Sequence, residues 1–421
     1  MTNDKKNLAK IPIELHEDIP TEEWASFILP EISVANNLKS RRLDAHGQMI
    51  GRITSSPFFV SHDTSIGDLA LELHKDQKIQ CVGIVDQSEK AVGLIERKIL
   101  FDLLGRPHCR DVYSKKSVDK IMGQSKIFRY NENIFSVAEN LEDVLNDQTQ
   151  HHFLLTDGDG QFAGCFSSTD LLIYLSSITK KDINLARKLQ MSIFRPENHI
   201  KAEKLVFVGK TEMAKGVGGD FYHIQKYGTH NWHLALGDVS GKGISASLVA
   251  AILGGMFRIN DFRQGLKKLI RNINDYIMQS FEMEKFITAI FMDIDEQTGK
   301  VKIADMGHSL LYLCRKGKVM QIKTGDENLP LGVLPDIEPI LKSFQLEDED
   351  LVLLITDGIT DQMNQKGEAF SGHRLIEILK QHYKEDLSKL KDIISESVKT
   401  FQGQAIQNDD MTFVFFRYHK K

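Results

Sequence analysis

The 421-residue chain is poor in cysteine, with only Cys81, Cys109, Cys165 and Cys314. No two of them form a CxxC pair, which excludes a zinc knuckle or a disulfide framework and suits a reducing compartment such as the cytoplasm. Long apolar runs are missing too. The longest mainly apolar window, Ala246 to Phe257, contains glycines and falls well short of the roughly 20 residues a membrane-spanning helix needs. Met1 to Lys10 is polar with no apolar stretch, so no secretory leader is expected there. Basic excess is also lacking: 53 Lys and Arg stand against 58 Asp and Glu, a formal net charge of −5. That balance argues against nucleic acid as a partner. Of the nine prolines, Pro12, Pro20 and Pro30 break up the first 50 residues, and residues 1–50 read as an N-terminal extension.

An internal repeat follows. Phe58-Phe59-Val60, an amphipathic stretch to Leu73, Cys81 to Asp86 and Ala91 to Ile95 form one copy; Lys126-Ile127-Phe128, Ile134 to Val137, His152 to Asp157 and Phe162 to Phe166 form the second. Each copy reads as strand, helix, strand, turn, strand, helix. Seven positions separate Asp86 from Gly93 and Asp157 from Gly164. Over residues 51–178 this pattern resembles a tandem pair of cystathionine-β-synthase (CBS) domains. The resemblance implies a sensor for adenine nucleotides, with Gly164, Ser167 and Asp170 at the family's ligand-binding positions. The first copy carries Glu96 and Ile99 where the hydroxyl and carboxylate would stand, so at most one such pocket is expected. Ser167 and Asp170 equally suit a cap on the helix from Leu171.

Leu172 to Phe194 contains neither proline nor glycine, and Leu175, Ile178, Leu185 and Leu189 recur near three-four spacing. This predicts a helix with an apolar seam, fit to pair two copies of the chain, with residues 179–197 as a helical linker. It serves either as a relay from the repeat or as a passive tether.

The remaining half, 198–421, is organised around acids at strand ends. Gly218-Gly219-Asp220-Phe221-Tyr222 precedes the strand-like Trp232 to Leu236, which runs into Gly237-Asp238-Val239-Ser240-Gly241-Lys242-Gly243. The apolar run Leu351 to Ile355 ends in Thr356-Asp357-Gly358, and Asn408-Asp409-Asp410-Met411-Thr412 leads into Phe413 to Phe416. Neighbouring carboxylates repel. Hard divalent cations, which take carboxylate, carbonyl and water oxygens, remove that penalty. Asp238 and the Val239 carbonyl therefore read as metal ligands, against the alternative that Asp238 caps the helix near Ile244. Leu205 to Val208 and Phe286 to Met292 read as further strands, and Ile244 to Phe257 and Phe262 to Met283 as helices.

The ordered set GGDFY, GDVSGKG, TDG and NDDMT resembles the metal-dependent protein phosphatase (PPM, protein phosphatase 2C-like) family, most closely its SpoIIE/RsbU branch, over about residues 183–418. Ile183 to Gln190 resembles the helix that precedes the catalytic domain in that branch. Asp305-Met306-Gly307-His308 and Leu329 to Val333 are similar to two further motifs. The resemblance implies an α/β (α+β) protein whose C-terminal domain is an α-β-β-α sandwich. It also implies two Mn or Mg ions: Asp238 would bridge them, Val239 would lend its carbonyl, Asp357 and Asp409 would bind the second, and Asp220 would hold a water. Asp410 would support these, and Lys242 would attract phosphate unless it is simply solvated. The substrate implied is a phosphorylated regulatory protein, such as an anti-sigma-factor antagonist. His223, Asp305 and Asp361 depart from the branch's pattern without removing an assigned ligand, and His308 reads as a structural residue. A P-loop is excluded, since Leu236 and Gly243 stand where glycine and a hydroxyl would be required, and the cyclase signature GGDEF is excluded by Phe221. The competing reading is a catalytically weak, nucleotide-sensing interaction protein that uses the phosphatase fold as a platform.

Overall fold

The structure, a computed structural model, describes residues 38–420 apart from positions 42, 147–150, 196, 282–283 and 326. The chain divides into two compact units between Ile178 and Thr179. Most of the expected N-terminal extension lies outside the described residues. Its remainder is built into the first unit: Leu38 and Ile50 are buried, and β1 (Lys39–Ser40) pairs antiparallel with β2 (Phe58–Ser61).

The first unit repeats one connectivity. β2, α1 (Ile66–Lys75), β3 (Cys81–Val85), β4 (Ala91–Glu96) and α2 (Arg97–Leu104) form one half, followed by the short α3 (Cys109–Tyr113). In the other half come β5 (Ile127–Arg129), α4 (Ile134–Asn140), α5 (Glu142–Leu145), β6 (His152–Thr156), β7 (Phe162–Ser167) and α6 (Ser168–Ile193). Each half joins a parallel pair to an antiparallel pair, with a register shift at the matching places Ile84/Val85 and Leu155/Thr156. Phe59, Cys81, Leu154, Phe162 and Cys165 form a buried cluster shared by both halves.

α6 has residues on both sides of the division. Its apolar seam separates accordingly: Leu175 and Ile178 pack on the first unit's core, whereas Leu185 and Leu189 are each 59% exposed. Among the described residues no helix is long and apolar enough to cross a membrane.

The second unit is an α-β-β-α sandwich. Its strands are β8 (Glu197–Lys201), β9 (Leu205–Glu212), β10 (Phe221–Tyr227), β11 (Asn231–Val239), β12 (Ile287–Asp295), β13 (Lys300–Met306), β14 (Leu311–Arg315), β15 (Lys318–Gln321), β16 (Lys342–Gln345), β17 (Leu351–Ile355) and β18 (Met411–Tyr418). One sheet runs β10-β11-β12-β13-β16 and the other β15-β14-β17-β18-β9-β8, all antiparallel. Alternation along each strand explains the layers. Leu234, Leu236, Val352, Leu354, Val414 and Phe416 fill the space between the sheets. Ala235 faces outward into a core with α7 (Ile244–Ile259) and α8 (Leu266–Phe281). Leu353 and Phe415 face the opposite way, toward α10 (Ser371–His382) and α11 (Leu387–Gln402); the short α9 (Asp357–Thr360) follows β17. The single helix expected from Phe262 begins instead as a 3-10 turn, Phe262–Gln264, before Gly265 and α8.

Candidate metal centre and sensor cavity

Strand register gathers the acids. Phe221 pairs with Gly237, so Asp220, one step earlier, comes across from Asp238. In the other sheet Ile355 pairs with Phe413, and Thr356 N donates to Thr412 O at 2.9 Å, which carries Asp357 past the strand end toward Asp409 and Asp410. The two sheets are tied where the acids meet. Thr356 Oγ1 donates to Asp220 Oδ2 at 2.7 Å and accepts from Thr412 N at 2.9 Å. Asp220 is only 2% exposed.

Asp410 acts as a clamp on the glycine loop. Its Oδ1 accepts from Ala214 N and its Oδ2 from Gly219 N, each at 2.8 Å. On the other side of that loop, Gln190 of α6 brackets Gly218: Nε2 donates to the Gly218 carbonyl at 2.7 Å, and Oε1 accepts its N–H at 3.3 Å. The sequence reading assigned no role to Thr356, Thr412 or Gln190 as individual residues. The threonine in TDG and the glutamine ending Ile183 to Gln190 were the available signals.

Burial and mutual repulsion raise the pKa values of Asp220, Asp238 and Asp357. Burial first, then the charges of Asp357, Asp409 and Asp410, push Asp238 up to about 7, opposed by Lys242. Burial and then Asp238 and Asp410 push Asp220 well above its ordinary value. Asp357 is raised by burial, then by Asp409 and Asp361. Such a rim favours added positive charge. Lys242 supplies part of it: its Nζ lies 2.6 Å from Asp409 Oδ2 and donates to the Asn408 carbonyl at 2.8 Å. That engagement makes Lys242 a partner of Asp409.

The donor atoms are of the type divalent cations take: all are hard oxygens. A Cβ on Gly219 would lie 2.8 Å from the Val239 carbonyl oxygen and 3.3 Å from Asp238 Oδ1, so the glycine leaves both oxygens approachable. Among the described residues no three His, Cys, Asp or Glu side chains are grouped so that they could hold a metal ion as they stand.

The motif variants have structural work. His308 is buried and neutral, its pKa lowered first by burial. Its Nε2 donates to the Ile355 carbonyl at 2.7 Å, because a carbonyl can only accept, which leaves Nδ1 to accept from Thr288 Oγ1 at 3.1 Å. Asp305 accepts the His308 N–H at 2.7 Å and a bond from Thr324 Oγ1. His223 points away from the acids and stacks on Phe257 with centroids 4.8 Å apart; burial lowers its pKa to about 3.

In the first unit, Ser167 and Asp170 form a reciprocal cap on α6. Asp170 Oδ2 accepts Ser167 N–H at 2.8 Å and Ser167 Oγ–H at 2.6 Å, while Ser167 Oγ accepts Asp170 N–H at 3.1 Å. Gly164 sits at φ +142°, where a Cβ would meet Thr54 Cγ2 at 2.4 Å; it allows a close chain approach. A cavity of about 610 Å³ in this unit lies elsewhere, lined by Glu96, Ile99, Lys126, His151, His152 and Phe153 among others. Glu96 Oε1 stands 3.1 Å from His152 Nδ1.

Residues 228–419 match the family model described as Stage II sporulation protein E (SpoIIE). The chain is 25% identical over 249 residues to phosphoserine phosphatase RsbP of Bacillus subtilis strain 168, covering 56% of this chain and 57% of RsbP. It is 23% identical over 241 residues to phosphoserine phosphatase RsbU of the same organism, covering 56% of this chain and 70% of RsbU. Among solved structures, the SiaA-PP2C domain of Pseudomonas aeruginosa aligns with a TM-score of 0.49 and 17% identity, over 58% of this chain and 98% of that one. The chain thus spans little more than half the length of RsbP. The family-model and relative matches support a SpoIIE/RsbU-type, PP2C-like domain in the C-terminal half.

Proposed function

We propose that residues 198–421 form a metal-dependent phosphatase acting on phosphoserine or phosphothreonine in a regulatory protein, such as an anti-sigma-factor antagonist. The convergence of Asp220, Asp238, Asp357 and Asp409 from two facing sheets carries this reading, and the names of the matched phosphoserine phosphatases support it. Asp238, the Val239 carbonyl, Asp357 and Asp409 would hold two Mn or Mg ions. Bound there, the ions would polarise the phosphoryl oxygen and lower the pKa of an attacking water. Asp220, held by Thr356 Oγ1, would orient that water. Asp410 holds the glycine loop that frames the rim, and Lys242 fixes Asp409. His308 ties Thr288 to the end of β17; Thr288 is the residue paired with Asp238.

The reading extends to control. Residues 51–178 would act as a CBS-type sensor. Ser167 and Asp170 are committed to the α6 cap, so the sensor ligand, an adenine nucleotide in this reading, would enter the cavity at Glu96 and His152 instead. Exposed Leu185 and Leu189 would pair two copies of the chain in the cytoplasm.

Phosphate release from a phosphoserine-bearing protein, measured with and without manganese, tests the catalytic part. Release should require the metal and should fall at least about 100-fold in Asp357→Asn, which keeps the side chain's size but removes its charge. Metal-saturated protein that binds phosphoprotein without turnover would favour the interaction-platform reading.

A further inference from the structure

We infer that the second unit carries a binding site for an organic phosphate beside the acid rim, bordered by Asp220. A cavity of about 460 Å³ lies between the end of α6, β9 and α11, with Asp220 among its lining residues. That volume falls in the range of small-molecule and cofactor pockets. Arg187 and Arg195 enter it from α6 and the residues after it, and Lys399 from α11. None of these three has an ion-pair partner among the described residues.

Of the other charged walls, Asp220 is buried and bonded to Thr356 Oγ1, and the rest are paired. Lys210 pairs with Glu212 at 3.3 Å, and Glu197 pairs with Lys391. Three cations therefore face the cavity without a counter-charge of their own. Guanidinium groups suit phosphate because their planar fork donates two parallel bonds, and a lysine adds a point charge.

The remaining lining decides between a bare anion and an organic one. Met191 and Met213, both partly exposed, line the same cavity. Thioethers at a partly open wall adapt to an apolar or planar ring, which inorganic phosphate does not have. A nucleoside phosphate satisfies both halves, with its phosphates on Arg187, Arg195 and Lys399 and its ring on the methionines. Gln190, three residues along α6 from Arg187, holds the Gly218 backbone. A ligand here would thus fasten α6 and α11 beside the glycine loop.

The test is a calorimetric titration of the full chain in magnesium buffer with ATP, GTP and inorganic triphosphate. It compares the parent, Arg195→Gln/Lys399→Gln and Met213→Glu. Arg195 and Lys399 are exposed, so the double variant should melt like the parent. The expected result is a nucleotide-binding step that weakens at least about tenfold in both variants, with triphosphate at least about tenfold weaker than the nucleotide on the parent. Each tenfold step corresponds to about 1.4 kcal/mol. Unchanged nucleotide affinity and stoichiometry in both variants would overturn the site and assign any binding to the first unit or the acid rim. Equal binding of triphosphate and nucleotide would overturn the organic-phosphate assignment. Because the readout is binding, failure here leaves the phosphatase reading standing.

Discussion

Replacing Asp238 by asparagine should stabilise the chelated protein at alkaline pH while abolishing the function proposed for it. In the folded chain burial and three neighbouring acids hold this carboxyl at about 7, against an ordinary value of 3.8. Below about pH 4 it is protonated folded or unfolded and contributes nothing. Between about 4 and 7 only the folded state keeps the proton, so stability falls as pH rises. Above about 7 the full penalty persists. At about 1.4 kcal/mol per unit of pKa the penalty is at most about 4 kcal/mol, and partial solvent screening lowers it to about 2–4 kcal/mol. Asp238→Asn removes the charge and relieves Asp220, whose pKa is raised in part by Asp238. Scanning calorimetry in chelator at pH 8 should show the transition of the second unit higher in the variant by on the order of 10 °C. The parent's transition should also fall between pH 5 and pH 8. With excess magnesium or manganese the order should reverse, because only the parent gains binding free energy. A chelated variant no more stable than the parent at pH 8, or a parent that gains stability from pH 5 to 8, would refute this account of the rim.

Thr356→Val leaves Asp220 Oδ2 and the Thr412 N–H without their shared partner; chemical denaturation should show a loss of about 2–4 kcal/mol. Asp170→Ala removes the reciprocal cap with Ser167 and should lower the first unit's stability by about 1 kcal/mol, read from its own unfolding transition. Leu185→Glu and Leu189→Glu should shift the molecular mass by light scattering from dimer toward monomer, whereas Lys180→Ala should not. Unchanged mass in both leucine variants would leave this stretch of α6 without a pairing role.

Asp238 and Asp357 stand out in the sequence because each leaves an apolar run beside a glycine, and Asp220 and Asp409 because each stands just before a strand; such local signals survive in a linear reading. The α-β-β-α layering was legible from the alternation of Leu234, Ala235 and Leu236 and its counterparts in β17 and β18. Thr356 was overlooked because its hydroxyl meets Asp220 across 136 positions of sequence, and only the meeting of two sheets creates that contact. Leu175, Ile178, Leu185 and Leu189 read as one seam, yet the first unit's core takes the first two. Periodicity reports which residues share a helix face but not how far along the helix a partner extends. Gly164, Ser167 and Asp170 matched a ligand pattern, while the backbone uses the latter two as a cap. A cap and a sugar acceptor call for the same residue types, so sequence alone could not separate them.

The central claim is that three acids distant in the chain, Asp238, Asp357 and Asp409, hold two divalent cations. Calorimetric titration of the full chain with manganese, in parent, Asp238→Asn and Asp409→Asn, measures this most directly. The account predicts two manganese ions per parent chain, both weakened at least about tenfold in Asp238→Asn because that acid bridges them, and one weakened in Asp409→Asn. Identical stoichiometry and affinity in all three proteins would contradict it.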